Sequence, residues 1–217
     1  MTISSVATVY PARPSETDIQ LLLQYIRQEG ITPLLVGDEW SHMGAVITDA
    51  SLQAGIGYKN VVLPRVRALR QAWPDADTTS GFVQRLGGGD LPSVLNWKGR
   101  KKLAIIENLA AALQELGIET TQDLYAAYTD PAKSEPLIAR LRSISGVKNK
   151  TVDYLAMLVG IEERVAIDSH LIAFASAAGV DDMVYEQLSD MYIAAAARLG
   201  CTPRALDSAV WKYMSGK

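Results

Sequence analysis

The chain carries one cysteine, Cys201. A single thiol builds no internal disulfide framework, no four-cysteine zinc site and no iron–sulfur cluster. A reducing, cytoplasmic setting is the expectation. Histidine is nearly as scarce, with only His42 and His170, and two histidines with one cysteine at these spacings make no zinc site. No apolar run reaches the roughly 18 residues that cross a bilayer, so no membrane partner is expected. The opening MTISSVATVYPARPS lacks a basic start, a long apolar stretch and a clear cleavage site, so no secretory signal is expected. Positive charge is not in excess: 21 Lys and Arg stand against 24 Asp and Glu, for a net charge of −3. Binding to a polyanion would need a local basic patch. Strand alternation, tandem repeats and low-complexity tracts are also missing.

What remains is a succession of helix signals. In 217 residues, 48% hydrophobic, there is material for one large or two small domains. In PSETDIQLLLQYIRQEG, Ser15 is placed to cap a helix whose apolar stripe is Ile19, Leu22, Leu23 and Ile26, with Gly30 as its stop. Asp38 is read as the cap of a second helix running through Trp40, Ala45, Val46 and Leu52. Further helices are expected from about 61 to 73, from 79 to the glycines at 87–89, and from 101 to 116. Others follow around 123–128 and 137–141, then at 184–199 and 203–214. Helices of this length joined by short loops predict an all-α fold.

One segment, ISGVKNKTVDYLAMLVGIEERVAIDSHL, places a cation and an anion at the starts of two consecutive helices. Gly146 permits a turn that other residues resist. The unpaired N–H groups of that turn and of the next helix suit a phosphate oxygen, with Lys148 and Lys150 beside them. An ordinary corner between two helices with solvated lysines explains the same residues. Asp168 is a good N-cap in its own right, and the helix dipole favours its ionised form. The helix after Lys150 rises about 15 Å, and the eight residues before Asp168 span up to about 26 Å. The two helix starts are therefore free to meet, without being obliged to.

Ile144, Gly146, Val147, Lys150 and Thr151, followed by Ile167, Asp168 and His170, resemble the signature of the helix-hairpin-helix base-excision DNA glycosylase superfamily. That superfamily includes endonuclease III and the 8-oxoguanine glycosylases. Leu52-Gln53, GRKKLAII and LDSAVWKY are similar to further segments of it. Two family positions differ: Ser145 stands for the hairpin proline and Lys148 for its second glycine, where the lysine either crowds a phosphate or contacts it by charge. No cysteine cluster follows the closing helix, so the iron–sulfur cluster of endonuclease III is not expected.

The resemblance implies a two-lobed helical glycosylase fold. Residues 34–162 would form one lobe, ending in the helix-hairpin-helix at about 144–160, and 1–33 with 163–217 the other. It implies a monomer acting on double-stranded DNA that holds a damaged, oxidised base, and a nucleoid association if the source is prokaryotic. Lys150 would be the nucleophile of a coupled AP lyase, and Asp168 the electrostatic and general-base residue. Gly146, Val147 and Lys148 would hold DNA. The carbonyls of Arg142, Ile144 and Val147 match those that hold a sodium or potassium ion in the family; no other cofactor is required. Gln53 would enter the gap left by a flipped base, or is a plain surface glutamine, with Asn96 or Trp97 as a second wedge. Lys98, Arg100, Lys101 and Lys102 form the densest basic cluster, suited to DNA or to solvent alone. Trp40 and Trp211 are candidates for the base pocket or for plain core packing. His42 is read as structural, and His170 as orienting the backbone near Asp168. The alternatives are a catalytically silent DNA-binding protein that keeps the hairpin, and a helical scaffold without a nucleic-acid role.

Overall fold

The structure, a computed structural model, describes residues 13–33, 40–53 and 55–216. Among these residues all regular structure is helical. The first helix, α1 (Glu16–Gln28), opens on a capping box in which Ser15 accepts from the Asp18 N–H and the Asp18 carboxylate accepts from Ser15. Its buried face is Ile19, Leu22, Leu23 and Ile26.

The next helix, α2 (Met43–Leu52), differs from its expected form. It starts after Trp40 and is capped by His42, whose Nδ1 accepts the Ala45 N–H at 3.1 Å. The His42 Nε2 lies 3.0 Å from the Trp73 carbonyl, which can only accept. Those two partners fix a neutral ring, and burial lowers its proton affinity further. Asp38, read as the cap, lies outside the described residues. All ten residues of α2 are buried. A helix enclosed on every side shows no amphipathic stripe, so its phase was not marked by period.

Around α2 gather α3 (Leu63–Ala72), α4 (Thr79–Gly88), α6 (Arg100–Glu115) and α9 (Asn149–Leu158). A π-type turn, Tyr58–Val62, leads into α3, and the short α5 (Leu91–Leu95), not anticipated from sequence, packs on it. A pair, α7 (Thr121–Thr129) and α8 (Pro131–Arg142), closes this group. Thr120 caps α7, and Asp130 caps α8 ahead of a proline at the first helical position. The buried apolar residues of this group, Met43 to Ile161, make one hydrophobic core.

A second core is assembled from distant parts of the chain. It joins Ile19, Leu22, Leu23 and Ile26 of α1 to α10 (Ser169–Ala177), α11 (Tyr185–Leu199) and α12 (Pro203–Met214). Phe174 and Tyr192 are fully enclosed there, and the Tyr192 hydroxyl donates to the Leu171 carbonyl at 2.8 Å. Burial of each such side chain contributes about 2 kcal/mol. Polar ties cross between the cores. Tyr185 donates to Asp153 at 2.8 Å, and the Asn149 amide donates to Glu186 at 2.6 Å. No helix is long and apolar enough to cross a membrane among the described residues.

Candidate active-site cleft

The hairpin lies between α8 and α9. The Val147 N–H donates to the Ile144 carbonyl at 3.0 Å, which closes the turn, and both side chains are buried. Gly146 sits at φ +88°, where a side chain is strained. A Cβ there would also stand 2.8 Å from Ile105 Cδ1 of α6, so the hairpin is seated closely on that helix. Lys148 is different. It precedes α9 in extended backbone (φ −127°, ψ 179°) that any residue adopts, is exposed, and supplies no side-chain cap. The N–H groups of α9's first turn therefore have no capping side chain from that position.

Lys150 and Asp168 meet. Their Nζ and Oδ2 are 3.7 Å apart, an ion contact rather than a hydrogen bond. The Lys150 side chain is 20% exposed and the Asp168 side chain 11%. The two oxygens of Asp168 have separate tasks. Oδ1 accepts the N–H groups of His170 at 2.8 Å and Leu171 at 3.1 Å, capping α10, while Oδ2 faces the amine. Burial lowers the proton affinity of Lys150, against the opposing pull of Asp168 and Asp207.

Asp207 belongs to the LDSAVWKY segment, in which the resemblance assigns it no role. It projects from α12, is buried, and its Oδ2 accepts the Ala166 N–H at 2.8 Å. Burial raises its pKa to about 7, with the Asp168 charge adding to the rise; the Ala166 N–H and Lys150 oppose it. Asp168 and Asp207, on the second-core wall of the cleft, thus set a capping carboxylate and an acid poised near neutrality beside the Lys150 amine that α9 brings from the first core.

The first-core wall, part of which α9 supplies, is otherwise aromatic. Trp40, Tyr58 and Tyr154 line it, from the segment before α2, the π-type turn and α9. Each donates to one carboxylate, Asp49 at the centre of α2. The Trp40 Nε1–H reaches Oδ2 at 2.9 Å, the Tyr58 hydroxyl reaches Oδ2 at 3.1 Å, and the Tyr154 hydroxyl reaches Oδ1 at 3.3 Å. Burial raises the Asp49 pKa to about 6, although the three donors act to lower it. Asp49 carries no signal in the sequence, because inside an apolar run one acid marks neither a cap nor a motif.

The cleft between these walls measures about 1190 Å³. Of the residues expected at a site, it gathers Lys150, Asp168, Gln53, Trp40 and Trp211. Gln53 Nε2 is buried without a hydrogen-bond partner among the described residues, a donor left for something else. Trp211 meets Tyr58 and His170 edge-on, each with ring centroids 6.0 Å apart. Asn96, Lys98 and Arg100 are exposed and stand outside the lining, along the entry to α6. Asn96 takes the left-handed conformation, φ 45°, as the helix cap of α5. Trp97 lies under the Arg65 guanidinium, 5.6 Å from its centroid. Lys102 turns inward and donates to the Ser51 carbonyl at 2.6 Å. Among the described residues no group of three or more His, Cys, Asp or Glu could hold a metal ion.

Residues 38–215 match the family model described as a domain of unknown function, DUF8548. That match takes in most of the chain, which belongs to this family. No curated protein and no solved structure matches it.

Proposed function

We propose that this member of the DUF8548 family is a DNA base-excision glycosylase with coupled AP lyase activity, acting on an oxidised base flipped out of the duplex. The observation that carries the reading is the 3.7 Å contact of Lys150 with Asp168 in a cleft between two hydrophobic cores. In this reading the two cores would be the two lobes of a helix-hairpin-helix glycosylase fold. A base inside a duplex is out of reach, so the nucleotide rotates into the cleft. The Gly146–Lys148 turn and the first turn of α9 take a DNA phosphate, beside which the carbonyls of Arg142 and Val147 would hold a sodium or potassium ion. The Ile144 carbonyl already accepts the Val147 N–H.

Lys150 attacks C1′ as the free amine, which its burial favours. The C1′–N bond breaks, its electron pair leaves with the base, and the base takes up a proton. The ionised Asp168 faces the positive charge that develops at C1′ and takes the proton that the attacking nitrogen sheds. The nitrogen lone pair then opens the sugar ring as O4′ takes a proton, giving a protonated Schiff base, and removal of a C2′ proton expels the 3′ phosphate and nicks the strand. Gln53 fills the vacated position in the stack, and Asp207 with Ser208 meets the polar edge of the base.

Borohydride trapping on a panel of oligonucleotide duplexes, each with one lesion, tests the reading. The wild type forms a covalent adduct on at least one oxidised lesion and none on undamaged duplex. Binding without trapping or base release on every lesion would leave a silent DNA-binding protein, and no salt-dependent binding at all would leave a scaffold.

A further inference from the structure

An aspartate in the middle of a helix enclosed on every face is unfavourable unless its charge is fully met by donors. Asp49 is compensated in part by three donors that no local structure brings together. Trp40 precedes α2, Tyr58 opens the π-type turn, and Tyr154 comes from α9, 105 positions along the chain. A leucine at 49 would fill the helix interior without desolvating a charge. What the carboxylate adds is direction. Each ring points its polar atom inward to Asp49, and all three rings line the cleft. Arg70 packs over the Trp40 indole at 5.1 Å from its centroid, a further restraint on that ring.

We infer that Asp49 is a positioning residue. It holds Trp40, Tyr58 and Tyr154 as a fixed aromatic wall on which a planar heteroaromatic ring of the nucleobase class stacks. The inference deepens the glycosylase reading and rests on it for the class of ligand. Asp49 itself is fully enclosed and stands behind the cleft lining, out of a ligand's reach. Because the hydroxyl protons and the indole N–H already serve Asp49, the wall offers ring surface and no free donor. It accepts the ring by shape. Discrimination between bases falls to the facing groups of the second core, His170, Asp207 and Ser208.

The test uses the full chain with fluorinated tryptophan, whose four indoles give separate fluorine resonances. Trp40→Phe assigns the Trp40 signal, and the probe is 2-aminopurine deoxyriboside at millimolar concentration. In the wild type the probe shifts the Trp40 resonance and leaves those of Trp73 and Trp97 in place. In Asp49→Asn, Tyr58→Phe and Tyr154→Phe, the Trp40 resonance of the free protein moves or broadens. Probe affinity falls about fivefold in each, the scale of one lost hydrogen bond. The effects of Asp49→Asn and Tyr58→Phe do not add in the double variant. On lesion duplex, base release at saturation slows about tenfold, from misplacement of the base. Affinity for abasic-site duplex changes by less than about twofold, since the hairpin phosphate contacts are untouched. If Asp49→Asn does not fold, the two phenylalanine variants carry the same readouts. An unchanged Trp40 resonance with unchanged probe affinity in the folded variants overturns the inference, as does a wild-type Trp40 that the probe leaves unmoved. A wild type that binds the probe at Trp40, with loss in the variants, but releases no base from any lesion sinks the glycosylase reading and upholds this one.

Discussion

The two walls of the cleft solve opposite problems with the same residue type. On the first-core wall one buried carboxylate, Asp49, is met by three donors, and its surroundings are left with ring surface alone. On the second-core wall Asp168 keeps one oxygen for its helix and turns the other on Lys150, while Asp207 retains one backbone donor. The first arrangement fixes shape; the second leaves charge at the cleft. Buried acids are therefore not one class of feature here. How many donors each has, and where the remaining oxygen faces, decides whether it organises neighbours or meets a ligand.

The contrast breaks most completely at Lys150. Lys150→Gln keeps a polar side chain of similar length, so lesion duplex still binds in a gel-shift titration. Borohydride trapping and strand nicking vanish, and base release falls by a large factor. Trapping that persists would place the nucleophile elsewhere. Asp168→Asn comes next. Asparagine caps a helix about as well as aspartate, so stability changes by no more than roughly 1 kcal/mol in urea titration. Base release measured under single-turnover conditions drops at least about a hundredfold, the scale of one lost electrostatic stabiliser. Near-normal release would reduce Asp168 to a cap.

The third test separates the walls by pH. Asp207 and Asp49 hold their protons more tightly folded than unfolded, with pKa values of about 7 and about 6 against 3.8. Their neutral forms suit the fold. Their contribution is thus complete below about pH 4 and is lost as pH rises through 6 and 7. The wild type should lose stability between pH 5 and pH 8.5, with Asp207 responsible for on the order of 3 kcal/mol. Asp207→Asn, which still accepts the Ala166 N–H, should flatten that profile and exceed the wild type at pH 8.5 in denaturant titrations. A profile unchanged by the substitution would mean that Asp207 is ionised in the native cleft. The smallest effect belongs to Lys148. Its extended backbone needs no glycine, so Lys148→Gly should weaken DNA binding a few-fold and reduce the salt slope by about one phosphate contact. Tighter binding would show that the side chain crowds the hairpin.

Helices with one exposed face were legible in sequence. Ser15 marks the start of α1, and the stripe of α1 is the face found buried. Where a helix has no exposed face the reading failed, as at α2, whose start was placed on Asp38 and whose cap is a histidine, an unusual capping residue. The five residues of α5 are too few for a period to register. The spacing of Lys150 and Asp168 permitted a meeting, and only the fold sets the 3.7 Å. Asp49 and Asp207 were beyond reach for one shared reason. Their partners lie 9 to 105 positions away, and a lone acid in an apolar run carries no signature of what it will meet.

The Arg198–Glu16 ion pair joins positions 182 apart, and with it α1 packs on α11. During synthesis α1 must wait, apolar stripe uncovered, until its partners emerge, whereas the group around α2 closes over much shorter loops. Lys150 is thus delivered early on a finished scaffold, and its counter-charge arrives with the slower half. At roughly 5–20 residues per second of translation, the nascent chain spends on the order of ten seconds or more with a stranded amphipathic helix. That interval is when a chaperone would find it, and the cleft can grip nothing until it has passed.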